Sequence, residues 1–345
     1  MFYSFLSSKI VVRTAFLVYV SYAATALWAG LPEEKYFGRW ALTLEGGRSG
    51  WLEIVPQKGW YDGSLLWVGG SVEPLASVAI VEGELTVTRL RTVARKGPSD
   101  VIQRKQQIPE TLYGRIDGDV LKLTRSTQNN AGTAIEREHL TGRLIPALPP
   151  APELAQVRWG ESVNLFNGRD LSGWRLIEDK AENGWSVSDG ALSNRPAAHI
   201  AGQKARRFGN LRTEREFEDF NLKAEVLVPA NSNSGIYLRG IYEIQIQDSY
   251  GKALDSHNMG ALYSRITPVV AAEKPASEWQ TLDITLVERH LTVVLNGVTI
   301  IANQPIAGCT GGALWSDEFR PGPIYLQGDH GAVTYRNLVL KPVLK

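Results

Sequence analysis

The chain has a single cysteine, Cys309, among 345 residues, so neither an internal disulfide nor a cysteine-based metal cluster can form within it. Cys309 sits in a glycine-rich stretch, AGCTGG, with no histidine or asparagine near it in sequence. That setting suits a small packing residue better than a nucleophile. An excess of either charge is also missing. There are 37 Lys and Arg against 36 Asp and Glu, a net charge of +1, whereas a dedicated nucleic-acid binder carries a basic patch or domain. A glycine fingerprint in a strand-to-helix setting is absent; Gly69-Gly70 and Gly311-Gly312 lie among β and loop signals. No nicotinamide or nucleotide cofactor is therefore expected.

Residues 1–29 read as an export signal. Lys9 and Arg13 supply a positive start, and Ala15–Ala29 carries no charge and ends in small residues. Ala24-Thr25-Ala26 fits the small-x-small cleavage pattern, and Ala29 offers a second position. The apolar run is short of the roughly 20 residues a spanning helix needs. The expected protein is exported, periplasmic or extracellular, with an uncleaved N-terminal anchor as the alternative.

Long helical periods are lacking as well. In their place stand 33 Gly, 10 Trp and many short runs of β-branched and aromatic residues, which predict an all-β chain. Residues 33–146 alternate strand-like runs (WALTLE, GWLEIVP, DGSLLWVGG, ELTVTRL, HLTGRLI) with turn signals such as Asp62-Gly63 and Asp117-Gly118. This predicts a small antiparallel β domain. Its opening Gly38-Arg39-Trp40 resembles the first strand of lipocalin-like barrels, a short motif of low specificity. The basic stretch from Arg89 to Gln107 is expected to be a solvated hairpin extension, with a partner-docking arm as the alternative, and His139 to be a surface residue. Residues 147–160 form a proline-rich connector. Residues 161–345 hold about a dozen further strand signals, including Asp189-Gly190 and Asn296-Gly297 turns, and fit a two-sheet sandwich or jelly roll.

One stretch of the second domain is two-faced. In NSNSGIYLRGIYEIQIQD, from Asn231 to Asp248, strand alternation puts Tyr242, Ile244 and Ile246 on one face and Glu243, Gln245 and Gln247 on the other. A carboxylate and two amides in a row suit a sugar, which offers many hydroxyls. A solvated outer face would show the same alternation.

Several further motifs occur in order: LFNGRDLSGW, FNLKAEV, NSGIYLRG, YEIQIQD, GALY, EWQ, LNG and LQGDHGAVTYRN. Together they resemble the family of 3-keto-disaccharide hydrolase domains over Asn164 to Pro342. The resemblance implies a concanavalin-like β-sandwich that acts on glycosidic bonds of sugars oxidised at C3. Trp279-Gln280 departs from the Trp-Asn of many relatives, which weakens any role for position 280.

A C3 ketone acidifies the C2 hydrogen, so a base can remove it and the C1 substituent can leave by β-elimination; hydration of the enone completes net hydrolysis. Such a site needs a base, a group for the enolate oxygen and a proton donor for the leaving oxygen. On the strength of the resemblance, His330, Glu243 and Arg239 are the candidate catalytic residues: His330 as base, Glu243 as acid or base, Arg239 as holder of the enolate oxygen. Gln245, Gln247, Asp248, Tyr263, Gln327 and Asp329 are the candidate substrate-binding residues. Each also has a structural alternative: His330 and Asp329 bonding the backbone of a turn, Glu243 pairing with Arg239, Asp248 capping a turn. His199 and His257, with Asp248 or Glu243, have the chemistry of a divalent-metal set but no metal-motif spacing, so no cofactor is called. The expected partner is a small-molecule carbohydrate; oligomeric state is not specified. The rival readings are a carbohydrate-binding module and a cell-surface adhesion protein.

Overall fold

The computed structural model describes residues 33–97, 101–195 and 208–345. The export segment and His199 lie outside the described residues. Residues 36–345 form one compact unit, and among the described residues only strands and three short 3-10 turns occur. The chain is all-β, and no helix among the described residues is long and apolar enough to cross a membrane.

The first nine strands are β1 (Gly38–Thr43), β2 (Ser49–Gln57), β3 (Trp60–Trp67), β4 (Glu73–Pro74), β5 (Ser77–Val81), β6 (Glu84–Lys96), β7 (Ile102–Asp117), β8 (Val120–Gln128) and β9 (Ile135–Ile145). They form one antiparallel sheet in the order β4-β3-β2-β1-β9-β8-β7-β6-β5. Its inner face buries Trp40, Leu42, Leu52, Leu65, Leu85 and Leu121. The lipocalin-like barrel is not closed: no ladder joins β4 to β5. The two edges come together only at a crossing point, where the Leu75 N–H bonds Gly63 O on β3 and the Ala76 N–H bonds Thr88 O on β6. Closure would need a longer β4, and Pro74 has no N–H to extend that ladder. The basic stretch is an extended hairpin arm, with β6 and β7 paired out to Lys96 and Ile102.

Two further sheets pack face to face as a jelly-roll sandwich. The strands are β10 (Val163–Asn164), β11 (Trp174–Leu176), β12 (Trp185–Ser188), β13 (Ala191–Asn194), β14 (Leu211–Phe217), β15 (Phe220–Leu227), β16 (Asn233–Leu238) and β17 (Tyr242–Gln247), followed by β18 (Trp279–Val287), β19 (His290–Leu295), β20 (Val298–Pro305), β21 (Gly322–Leu326) and β22 (Val333–Pro342). One sheet runs β12-β13-β22-β15-β18-β19-β20 with β10 added on β22; the other runs β11-β14-β21-β16-β17. Phe220, Leu222, Ile284 and Tyr335 from the first meet Ile236, Ile244, Ile246 and Ile324 from the second in a continuous core. The two outward residues Trp51 of β2 and Leu66 of β3 belong to that same core, while their neighbours Leu52 and Leu65 face into the curled sheet. Alternation on β2 and β3 thus feeds two cores at once.

The connector between the sheets is extended and tied along the sandwich. Asn303 Nδ2 donates to Pro152 O at 3.0 Å, and Arg289 Nη2 lies 3.3 Å from Ala147 O. Gln280 is structural: its amide bonds both the N–H and the C=O of Lys274 and accepts from Asn296.

Candidate active site

The polar face of the five-stranded sheet is not a wet surface. Tyr242, Ile244 and Ile246 are fully buried in the core, as alternation predicts, but Glu243 and Gln245 on the other face are also only 4% and 1% exposed. β16 pairs antiparallel with β17 so that Tyr237 stands opposite Glu243, Gly235 opposite Gln245 and Asn233 opposite Gln247. β21 adds Tyr325 beside Tyr237. The two tyrosine rings stack at 3.9 Å between centroids and 9° between planes. The absent side chain of Gly235 makes room for the carboxyl, since a Cβ there would stand 2.4 Å from Glu243 Oε1.

The burial of Glu243 favours its neutral form. Tyr237 Oη lies 2.8 Å from Glu243 Oε2 and 2.7 Å from the Gly311 carbonyl oxygen. A phenol has one proton and a carbonyl only accepts. The two contacts are satisfied together either when the phenol shares its proton between both acceptors or when a protonated Glu243 donates to Tyr237 and Tyr237 donates to Gly311. Burial is the largest influence on Glu243 and lifts its pKa to about 8, against the lowering effects of the Tyr237 hydroxyl and the His330 charge. No lysine or arginine among the described residues forms an ion pair with it. Burial likewise pushes the Tyr237 and Tyr325 phenols up, with the negative field of Glu243 adding to it.

Around Gly235 three amide oxygens, those of Asn233, Gln245 and Gln327, are buried and accept no hydrogen bond from the described residues. Gln245 Nε2 donates to Gln247 Oε1 at 2.9 Å, which fixes the Gln245 oxygen away from Gln247. The Gln327 N–H donates to Gly235 O, placing its side chain at the end of β21 next to the same glycine. Buried acceptors without donors are costly unless a ligand supplies the donor, and hydroxyl groups are donors of that kind.

The turn GDHG is brought to this face from 80 residues away and is fastened on both sides. Asn194 Nδ2 donates to Gly328 O at 2.7 Å, the Gly328 N–H donates to Asn210 Oδ1, and Ser232 Oγ donates to Ala332 O. Gly331 packs so tightly on the start of β16 that a Cβ would meet Ser232 Oγ at 2.3 Å. Asp329 Oδ1 lies 2.8 Å from His330 Nδ1, which leaves Nε2 as the ring nitrogen directed away from the carboxylate. The imidazole is half exposed while Glu243 is buried.

Arg239 is not part of this group. It occupies the β16–β17 turn with φ at +54°, is 2% exposed, and donates through Nη2 to the carbonyls of Glu318 at 2.5 Å and Arg320 at 2.8 Å. Its guanidinium is committed to a buried cluster with Glu318 and Arg289, so it neither pairs with Glu243, the structural alternative, nor points to the Glu243 face as a holder of an enolate oxygen. Asp248 accepts from the Asn231 N–H at 2.9 Å and caps that turn. Tyr263 does join the site: its N–H bonds Glu243 O and its neighbour Leu262 pairs with core-facing Ile244. Tyr263 therefore shares the face of Glu243. His257 lies edge-on to the Tyr263 ring at 4.8 Å. Its own contacts run to Asp255 and to Ser71 from the first sheet. Among the described residues no group of three or more His, Cys, Asp or Glu is arranged to hold a metal ion.

Sequence reasoning missed Tyr237 and Tyr325. Alternation puts Tyr237 in phase with Gly235 and Tyr325 in phase with Gln327, so their faces were legible; their pairing was not. It also missed the Gly311 carbonyl and Ser71.

The family model of the 3-keto-alpha-glucoside-1,2-lyase-like domain matches residues 161–341. Among solved structures, a putative glycosyl hydrolase from Parabacteroides distasonis ATCC 8503 is similar at 26% identity and a TM-score of 0.41, over 57% of this chain and 91% of that one. A second putative glycosyl hydrolase from the same organism has 19% identity and a TM-score of 0.41, over 53% and 94%. The carbohydrate binding module CBM66 from Bacillus subtilis has 11% identity and a TM-score of 0.33, over 48% and 93%. No curated protein matches the sequence.

Proposed function

We propose, from the premise that this chain belongs to the 3-keto-alpha-glucoside-1,2-lyase-like domain family, that it is a carbohydrate-active enzyme cleaving 3-keto glycosides by elimination. The observation that supports this reading best is Glu243: a buried carboxyl, raised to about 8, hydrogen-bonded to Tyr237 and within electrostatic reach of His330. An uncharged acid beside a half-exposed imidazole is the complement that elimination requires, one group to take a proton and one to give it.

In this reading His330 Nε2 takes the C2 hydrogen of the 3-keto sugar as a proton. The C2–H electron pair becomes the C1–C2 double bond, and the C1–O bond breaks with its pair on the leaving oxygen. Glu243 gives its proton to that oxygen, so one proton is removed and one supplied, and the step is redox-neutral. Asp329 holds the His330 ring through Nδ1 and favours its charged form after transfer. The C3 ketone draws off charge in the transition state, and the oxygens of Gln245, Gln327 and Asn233, which have no donor among the described residues, accept from sugar hydroxyls. Water addition to the enone gives net hydrolysis. Arg239 has a structural role in this scheme, and Asp248 a capping one.

We further assign residues 1–29 as an export signal, residues 33–146 and 161–345 as two domains, and 147–160 as their connector. The test of function is incubation of the mature protein with a panel of 3-keto glucosides, with products read by mass spectrometry. Turnover is expected in the wild type and loss of it in Glu243→Gln and His330→Ala. Binding without product would identify a binding module, and unchanged turnover in both variants would refute the site.

A further inference from the structure

The first sheet reaches into the site of the second. Residues 68–72, between β3 and β4, run beneath the glycine pair Gly311-Gly312 and beside His257. The Gly312 N–H donates to Val68 O at 2.9 Å. Gly311 lies so close to the loop that a Cβ on it would stand 2.2 Å from Gly70 O and 2.7 Å from Gly70 N. The Gly311 carbonyl is the last acceptor of the chain that starts at Glu243 and passes through Tyr237. In the residue after Gly70, Ser71 Oγ lies 2.9 Å from His257 Nε2. The other ring nitrogen of His257 meets Asp255, and the ring stands edge-on to Tyr263, whose backbone pairs with Glu243. The Val72 N–H is held by Ser264 Oγ at 2.9 Å, next in the chain to Tyr263.

We propose that residues 68–72 of the first sheet are a positioning element of the Glu243 site. Val68 and Gly70 fix the Gly311 carbonyl on which the Glu243–Tyr237 proton chain ends, and Ser71 fixes the His257 ring against Tyr263. Hydroxyl, imidazole and carboxylate here stand in the order of a nucleophile relay. The carboxylate of Asp255 is 59% exposed, however, and such a group is too well solvated to support an alkoxide. Ser71 orients and does not attack. The first sheet is thereby part of the working enzyme, although the matched family domain begins only at residue 161. The mechanism of this coupling is geometric: a reacting group displaced by about 1 Å can lose on the order of 100-fold in rate.

This inference rests on the proposed elimination reading, and its test separates the two. In the turnover arm, the full-length protein carrying Ser71→Ala is compared with Ser71→Thr on the 3-keto glucoside panel. Ser71→Ala is expected to lower kcat/KM by about 10-fold, with the melting temperature unchanged and Ser71→Thr restoring the rate by keeping the hydroxyl. In the substrate-free arm, the folded-state titration of Glu243 is read from the pH at which the growing stability difference between a protein and its Glu243→Gln partner levels off. Gly311→Ala pushes the loop and the carbonyl apart. Tyr237 is then free to donate to the Glu243 carboxylate, and the pH at which the difference levels off is expected to fall by about one unit. Failure of the wild type to turn over any panel member would refute the elimination reading and leave the loop to be judged by the second arm. An unmoved titration in folded Gly311→Ala overturns the positioning role, and so does an unchanged kcat/KM in Ser71→Ala where the wild type is active. If Gly311→Ala does not fold, the Ser71 pair decides alone where there is turnover. Where there is none, the His257 ring resonances in Ser71→Ala decide: a shift supports the role, none overturns it.

Discussion

Two buried carboxyl groups, Glu243 and Glu318, have opposite company. Glu243 is on the polar sheet face with a phenol, a nearby imidazole and amide oxygens that have no partner among the described residues. Glu318 is 1% exposed beside Arg289 at 3.3 Å, with the fields of Arg265 and Arg239 also upon it. Burial is the largest influence on both and raises both. What separates them is the counter-charge. Glu318 is compensated by arginines that also bond backbone carbonyls at Arg320 and Ala147, so it ties segments together. Glu243 has no such partner among the described residues and is left as an acid. Burial alone therefore does not mark a site; burial without a cation, on a face with open acceptors, does.

The sharpest break of this comparison is in turnover. Replacing Glu243 with Gln is expected to lower kcat by about 10²–10⁴-fold, the range for losing a general acid, with the fold intact. The Arg289→Ala replacement should do the reverse: a loss of about 3–5 kcal/mol in stability, seen in denaturant unfolding, with kcat per folded molecule unchanged. Equal effects on both measurements in both variants would erase the distinction.

The pH dependence of stability sharpens it further. Glu243 has a folded pKa of about 8 against an ordinary value of 4.5, so the folded protein binds the extra proton between those values. Its contribution is complete below about pH 4.5 and is lost as pH rises through about 8. Relative to wild type, Glu243→Gln should gain stability progressively from pH 5 to pH 8.5, by an amount on the order of a few kcal/mol. A constant difference across that range would show that Glu243 is ionised throughout. In activity, the same proton predicts a falling limb of kcat/KM near pH 8, read from a pH–rate profile. The smallest effect belongs to Asp248, which caps a turn and touches neither carboxyl. Asp248→Ala is expected to cost about 0.5–2 kcal/mol by analogy with other caps, with turnover nearly unchanged.

Much of the site was legible because strand alternation is local. The phase of Tyr242 to Gln247 alone assigned Glu243, Gln245 and Gln247 to one face, and the structure keeps them there. Arg239 was misread for an equally local reason. It follows Leu238 in phase, but φ at +54° takes it out of the strand and turns its side chain toward Glu318. A turn conformation at a residue other than glycine leaves no sign in an alternating pattern. The open edge of the first sheet was hidden in the same way, since only the spatial arrangement shows that two-residue β4 stops at Pro74.

The amino-acid sequence by itself determined the all-β class, the two-faced strand and the residue types the chemistry needs, because those follow from period-two patterning and turn chemistry between near neighbours. Tertiary structure alone decided which of those residues meet. β21 lies between β14 and β16, which stacks Tyr325 on Tyr237; the GDHG turn is fastened by Asn194 and Asn210; and the first sheet supplies Ser71 and Gly70. Strand order and sheet docking are set by the summed burial of distant apolar faces, such as Trp51 and Leu66 against the sandwich core. No local stretch of the chain encodes such a sum.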